Sequence, residues 1–162
     1  MIDIREATRA DVSLLYKLYD RIGKKDEGYF EHAFDEGVTI LIAADEGRDC
    51  AFCLLNYTPR YSLYKKLGIP EIQDLNVIAT HRRKGIATAL IGFCEGHARS
   101  KACEAMGISV GLFKDYGPAQ ILYVKLGYVP DGNGITYDRE TVKPFVPCMV
   151  DDDLSLMLIK QL

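Results

Sequence analysis

The sequence predicts one mixed α/β (α+β) domain over residues 1–162, and three observations predict it. Stretches with apolar residues at two-residue spacing alternate along the chain with stretches at helical spacing. Two β-prone runs, residues 38–44 and 50–57, flank the turn composition Asp45-Glu46-Gly47-Arg48-Asp49, which predicts an antiparallel hairpin. Residues 71–90, EIQDLNVIATHRRKGIATAL, pass from a strand pattern through a basic turn straight into an amphipathic helix. A chain of 162 residues is long enough to bury one full core and short for two.

Taken in order, Ile2, Ile4 and Ala7 predict a first strand. Thr8 and Asp11 have capping-box spacing, with Asp for the usual Glu, so a helix should begin there. Val12, Leu15, Tyr16 and Tyr19 give it one buried face, and Gly23 is its stop. Tyr29, Phe30, Ala33 and Phe34 repeat that pattern in a shorter helix before Gly37. After the hairpin, residues 58–70 interrupt the sheet as a surface loop with a short helix ending at Gly68; packing over a site is the other reading. Leu75, Val77 and Ala79 alternate as a strand should, and Ile86, Ala87, Leu90, Ile91 and Cys94 recur near helical period. Residues 106–112 form another strand, followed by a loop at Lys114–Gly117. Pro118 suits a first helical position and Gly127 a helix stop, with Ala119, Leu122, Tyr123 and Leu126 as the stripe between them. Asp131-Gly132-Asn133-Gly134 reads as a turn, residues 135–137 as the start of a strand, and residues 154–160 as the last strand.

A formal net charge of −3 argues against a general nucleic-acid binder, which carries a basic excess. No apolar run approaches the ~20 residues of a membrane span, so no membrane partner is expected. The N-terminus lacks a basic head followed by an apolar core, which makes the cytoplasm the expected location. Five cysteines, an odd number, predict reduced thiols. Cys50 and Cys53 sit three apart on a strand and point to opposite faces, so they do not share an ion, and no metal is expected.

The basic turn has the chemistry of an anion site. A helix N-terminus offers backbone N–H groups and a partial positive charge, Gly85 admits close approach, and Arg82, Arg83 and Lys84 raise the potential. Arg82-x-x-Gly85-x-Ala87 after a strand resembles the pyrophosphate signature of the GNAT superfamily of N-acetyltransferases. Ala119-x-x-Leu122-Tyr123-x-x-Leu126-Gly127-Tyr128 is similar to that family's second signature, at the expected distance behind the first. Either alone can be an ordinary cap or an ordinary apolar helix; their ordered pairing carries the resemblance.

That resemblance implies a mostly antiparallel sheet flanked by helices, with a splayed pair of parallel strands forming an acetyl-CoA site. It implies that the backbone of Arg82, Arg83, Lys84, Gly85, Ile86, Ala87 and Thr88 holds the pyrophosphate and that of Val77 and Ile78 the pantetheine. Tyr116 stands where the family often has Asn, which puts one cofactor contact in doubt, and Ala119 and Tyr123 complete the cofactor set. By the same resemblance Tyr123 is the general acid for the leaving thiolate, a packed core tyrosine being the other reading, and Glu71 coincides with the general base, a solvated strand-end residue being the other; Asp74, on the same strand with the opposite facing, and water are the other candidate bases. His81 reads as an exposed loop residue and His97 as a helix-face packing residue.

The implied activity is direct transfer of acetyl from acetyl-CoA, a co-substrate, to a primary amine of a small molecule or peptide. A noncatalytic CoA-binding sensor is the alternative reading, and a homodimer is compatible with either. Neither GxxxxGK[ST] nor GxGxxG occurs, which disfavours a nucleotide-binding fold. Acceptor specificity is expected in residues 23–37, 58–70 and 131–150.

Overall fold

The computed structural model describes residues 1–24 and 26–162. In chain order the elements are β1 (Ile2–Glu6), α1 (Val12–Arg21), α2 (Tyr29–Asp35), β2 (Thr39–Asp45), β3 (Arg48–Asn56), α3 (Ser62–Leu67), β4 (Glu71–Val77), α4 (Ile86–Ser100), β5 (Ala105–Gly111), α5 (Gly117–Lys125), β6 (Val129–Tyr137), β7 (Glu140–Thr141) and β8 (Leu154–Gln161). The chain divides into two compact units, residues 1–56 with 72–97 and residues 57–71 with 98–162.

In the first unit the strand order is β1-β2-β3-β4, and the β1/β2 and β2/β3 pairs are antiparallel. The hairpin turn is tighter than its five-residue composition suggested, because Glu46 and Gly47, at φ 50° and 74°, suffice to reverse the chain. The predicted capping box is present: Asp11 accepts from the Thr8 amide at 2.8 Å, and a 3₁₀ turn over Arg9–Asp11 leads into α1. The apolar face of α1 buries Leu15, Leu18 and Tyr19. Tyr19 and Phe52 both meet Phe30 edge-on, at 5.2 and 5.5 Å between ring centroids, so α1, α2 and β3 share one aromatic core. Cys50 and Cys53 are buried on β3, and Cys53 Sγ lies 3.8 Å from Cys94 Sγ of α4.

In the second unit the order is β5-β8-β6-β7, and every pair is antiparallel. Residues 58–70 carry the expected short helix ending at Gly68, but they are not the surface element expected. Tyr61 and Tyr64 are buried with Ile69, Ala105 and Met157, and the Tyr64 hydroxyl donates to the Leu158 carbonyl. A tyrosine can enter a core because its ring is apolar and its hydroxyl finds a backbone acceptor. Gly107 makes room for it, since a Cβ there would run into the Tyr64 ring.

Two further expectations change. The central strand stops at Val77, and Ala79 belongs to a 3₁₀ turn over Ala79–His81. Residues 131–134 do not separate two strands but bulge out of β6, whose register with β8 jumps from Pro130↔Leu158 to Ile135↔Leu156. Gly132 and Gly134, at φ 89° and 77°, supply the bulge, and the Asp131 carboxylate holds it by accepting from the Asn133 amide at 2.9 Å. The actual reversal, into β7, uses Asp138 and Arg139 at φ 46° and 66°. Neither is glycine, so no turn signal marked it.

Candidate active site

In the first unit, the end of β4 and the start of α4 build the turn. The Ile78 amide donates to the Cys50 carbonyl at 2.9 Å, which ties the exit of β4 to β3, and Ile78 itself is buried. Arg82 Nε donates to the Val77 carbonyl at 3.1 Å, so the Arg82 side chain folds back along the turn and Val77 O is already engaged. Arg83 takes φ 62° and Gly85 φ 83°. A Cβ on Gly85 would meet no atom of the chain within 4 Å, so backbone conformation, not crowding, calls for glycine there.

Ile86 buries its side chain while its amide opens a helix of 15 residues. The first-turn amides of such a helix have no intrahelical acceptors, and its first turn contains no acidic residue to oppose an anion. Arg82, Arg83, Lys84 and Thr88 are exposed and Ala87 half-buried. Lys84 Nζ reaches Asp45 at 3.2 Å, while His81 is half-buried with Nδ1 3.0 Å from Thr80 Oγ1. His97 pairs with Glu6 at 3.2 Å.

Three residues before Val77, Asp74 sits in mid-strand at φ 46°. That left-handed residue breaks the two-residue alternation on which the expected opposite facing of Asp74 and Glu71 depends. Its carboxylate accepts from Lys24 Nζ at 2.8 Å and from the Tyr29 hydroxyl. Tyr29 stacks on Tyr19, with ring centroids 5.3 Å apart and planes 8° from parallel. Burial, reinforced by the nearby Asp74 charge, pushes the Tyr19 hydroxyl up to about 12. Periodicity placed Tyr19 and Tyr29 in helices but carried no signal for this long-range cluster.

In the second unit, Glu71 is 0 % exposed, and Arg139 Nη2 donates to its Oε1 at 2.9 Å. Nothing in the sequence linked these residues, which are 68 positions apart. Tyr123, on α5, is buried at 6 % exposure and lies 6.4 Å from the Tyr128 ring. Ala119 is half-buried on the same helix. The Tyr116 ring lies against Gly111, where a Cβ would collide with it, and its hydroxyl donates to Asp152 at 2.7 Å. Gln120 Nε2 donates to the Gly111 carbonyl at 2.8 Å, fixing α5 to the end of β5. The predicted residues thus fall into two groups: Val77, Ile78 and the 82–88 turn in the first unit, and Glu71, Tyr116, Ala119 and Tyr123 in the second.

The model of the acetyltransferase (GNAT) family matches residues 6–128, a span that includes both motifs. Among solved structures, the chain is similar to the ribosomal-protein-S18-alanine N-acetyltransferase of Escherichia coli, with TM-score 0.73 and 15 % identity over 99 % of this chain and 94 % of that one. It is similar to an N-acetyltransferase from Staphylococcus aureus Mu50, with TM-score 0.71 and 18 % identity over 99 % and 98 %. A GNAT acetyltransferase from Elizabethkingia anophelis with acetyl-CoA bound gives TM-score 0.69 and 16 % identity over 99 % and 98 %. At these identities the likeness is one of fold. Among curated proteins there was no significant match.

Proposed function

The chain belongs to the acetyltransferase (GNAT) family, an acyltransferase family, and from that premise we propose that it moves acetyl from acetyl-CoA to a primary amine by direct transfer. The observation that carries the reading is the 82–87 turn: left-handed Arg83 and Gly85 lead into the N-terminus of α4, three cations flank it, and no acid lies in the first helical turn. Such a turn suits a pyrophosphate, because several amides and the helix dipole act on one anion.

When bound, acetyl-CoA supplies the activated thioester. This chain's part is to hold the cofactor, orient the carbonyl and move protons. By the resemblance the amides from Arg82 to Thr88 would hold the pyrophosphate and the backbone of Val77 and Ile78 the pantetheine. By the family resemblance Tyr116 and Ala119 would contact the cofactor, Tyr123 would give a proton to the leaving thiolate, and Glu71 would take one from the acceptor, directly or through water. Buried Glu71 is held by Arg139, so such a proton must reach it by an internal route.

The test has two stages. Acetyl-CoA at about a hundredfold excess over Kd should raise Tm by roughly 5–10 °C, whereas ATP and NAD should not. A panel of amines with free-thiol detection should then show turnover. Stabilisation by acetyl-CoA with no thiol release from any amine would make the chain a CoA-binding sensor instead; no stabilisation would remove both readings.

A further inference from the structure

Lys24 brings a primary ammonium onto Asp74 at 2.8 Å, beside the Tyr29 hydroxyl and the stacked Tyr19 and Tyr29 rings. A carboxylate, a phenol oxygen and aromatic walls are the chemistry that recognises an alkylammonium group. The pair is not sealed: the two side chains keep 36 % and 28 % of their exposure, so solvent and a ligand can reach it. Lys24 follows Gly23 directly in the connection from α1 to α2, where acceptor specificity was expected; Lys25 of that stretch lies outside the described residues.

We propose that Asp74 and Tyr29 seat a second ammonium group of the acceptor, and that Lys24 Nζ is the group such an acceptor displaces. The inference rests on the N-acetyltransferase reading above. The seated ammonium is not the one that reacts, because a carboxylate stabilises its proton and a protonated amine has no lone pair to attack a thioester. On that reading the Val77 backbone would polarise the thioester carbonyl, and Asp74 precedes Val77 by three residues, or roughly 10 Å of strand. The acceptor class is therefore an amine with a second cation at about that reach, as in a long diamine or polyamine. In the reaction the free amine nitrogen bonds to the acetyl carbon, the carbon–sulfur bond breaks, the thiolate leaves as the thiol of CoA, and the nitrogen loses one proton.

The experiment measures kcat and KM for a ladder of α,ω-diaminoalkanes against n-alkylamines of the same carbon count. The parent protein should favour long diamines by roughly ten- to a hundredfold in kcat/KM, the ratio expected for a hydrogen-bonded charge. Lys24→Met should lower KM for diamines by about fivefold, in line with losing a partly exposed competing pair, and leave the alkylamine constants alone. Asp74→Asn should erase the diamine preference, bringing kcat/KM for a diamine down to that of the alkylamine of the same carbon count. Equal use of diamines and alkylamines by the parent would overturn the second-ammonium seat and leave the N-acetyltransferase reading standing. An unchanged diamine KM in Lys24→Met with a lower Tm would make the pair a staple and overturn the displacement. Loss of turnover with both amine types in Asp74→Asn would place Asp74 at the reacting amine and overturn the assignment. No thiol release from any amine would remove the function reading itself, and this inference with it.

Discussion

Arg139 donates to the wholly buried carboxylate of Glu71 at 2.9 Å, from a turn residue held at φ 66°. The strained turn and the buried charge support each other: the guanidinium offsets the desolvation of Glu71, and the ion pair holds Arg139 in a conformation that non-glycine residues rarely adopt.

Removing the guanidinium should therefore be expensive. Arg139→Met leaves a buried carboxylate without this donor and should destabilise by about 3 kcal/mol in urea unfolding. The double variant with Glu71→Gln should recover at least ~1 kcal/mol of that loss, because the two residues are in contact. Additive losses would show that Glu71 is satisfied by its other partners.

Glu71→Gln alone tests the proposed base. It keeps the shape of the side chain and removes the proton acceptor, so the acidic limb of the kcat/KM profile should vanish and turnover should fall by roughly 10²–10⁴-fold. An unaltered limb with parental turnover would assign Glu71 to structure only.

Gly85→Glu should weaken acetyl-CoA binding severely in calorimetry. Two effects act together: φ 83° strains any side chain, and the new carboxylate faces the anion the turn is proposed to hold. Gly85→Ala isolates the first effect and should lower stability by about 1 kcal/mol or more. Parental affinity in Gly85→Glu would mean that the pyrophosphate lies elsewhere.

Tyr123→Phe preserves a buried ring and deletes the hydroxyl. If that hydroxyl protonates the thiolate, kcat should fall by roughly 10²–10⁴-fold with little change in acetyl-CoA affinity. A fall in affinity and Tm with kcat intact would instead mark Tyr123 as a packing residue.

Asp11 gives a pH-dependent signature. The Arg5 guanidinium and the Thr8 amide hold its carboxyl well below the usual carboxylate range. A depressed folded-state value means the contribution is present above the ordinary carboxylate pKa of about 3.9 and is lost as pH falls. Asp11→Asn should thus lower Tm by roughly 2–4 °C near neutrality, and the gap to the parent should close as acid is added. A gap constant with pH would show that shape, not charge, makes the cap.

What the amino-acid sequence determined by itself is local. The capping box at Thr8 and Asp11, the stops at Gly23, Gly37, Gly68 and Gly127, the β2–β3 hairpin and the basic turn before α4 all stand in the structure. Each depends on residues a few positions apart, where backbone sterics and side-chain reach leave few choices. The two family motifs were legible for the same reason, since one lies within a single turn and the other within one helix and the stop that follows it.

Tertiary structure alone decided the partners. Residues 58–70 read as a surface loop with a short helix, yet Tyr64 is 0 % exposed, because a hydroxyl that meets the Leu158 carbonyl 94 positions away makes an amphipathic ring a core residue. The Asp131–Gly134 turn signal was spent on a bulge, because β6 continues its pairing with β8 beyond it. Glu71 with Arg139, and Asp74 with Lys24 and Tyr29, join residues 45 to 68 positions apart. Spacing along the chain carries no record of such pairs; they follow from how the strands and helices pack, and burial then decides which charges must be answered.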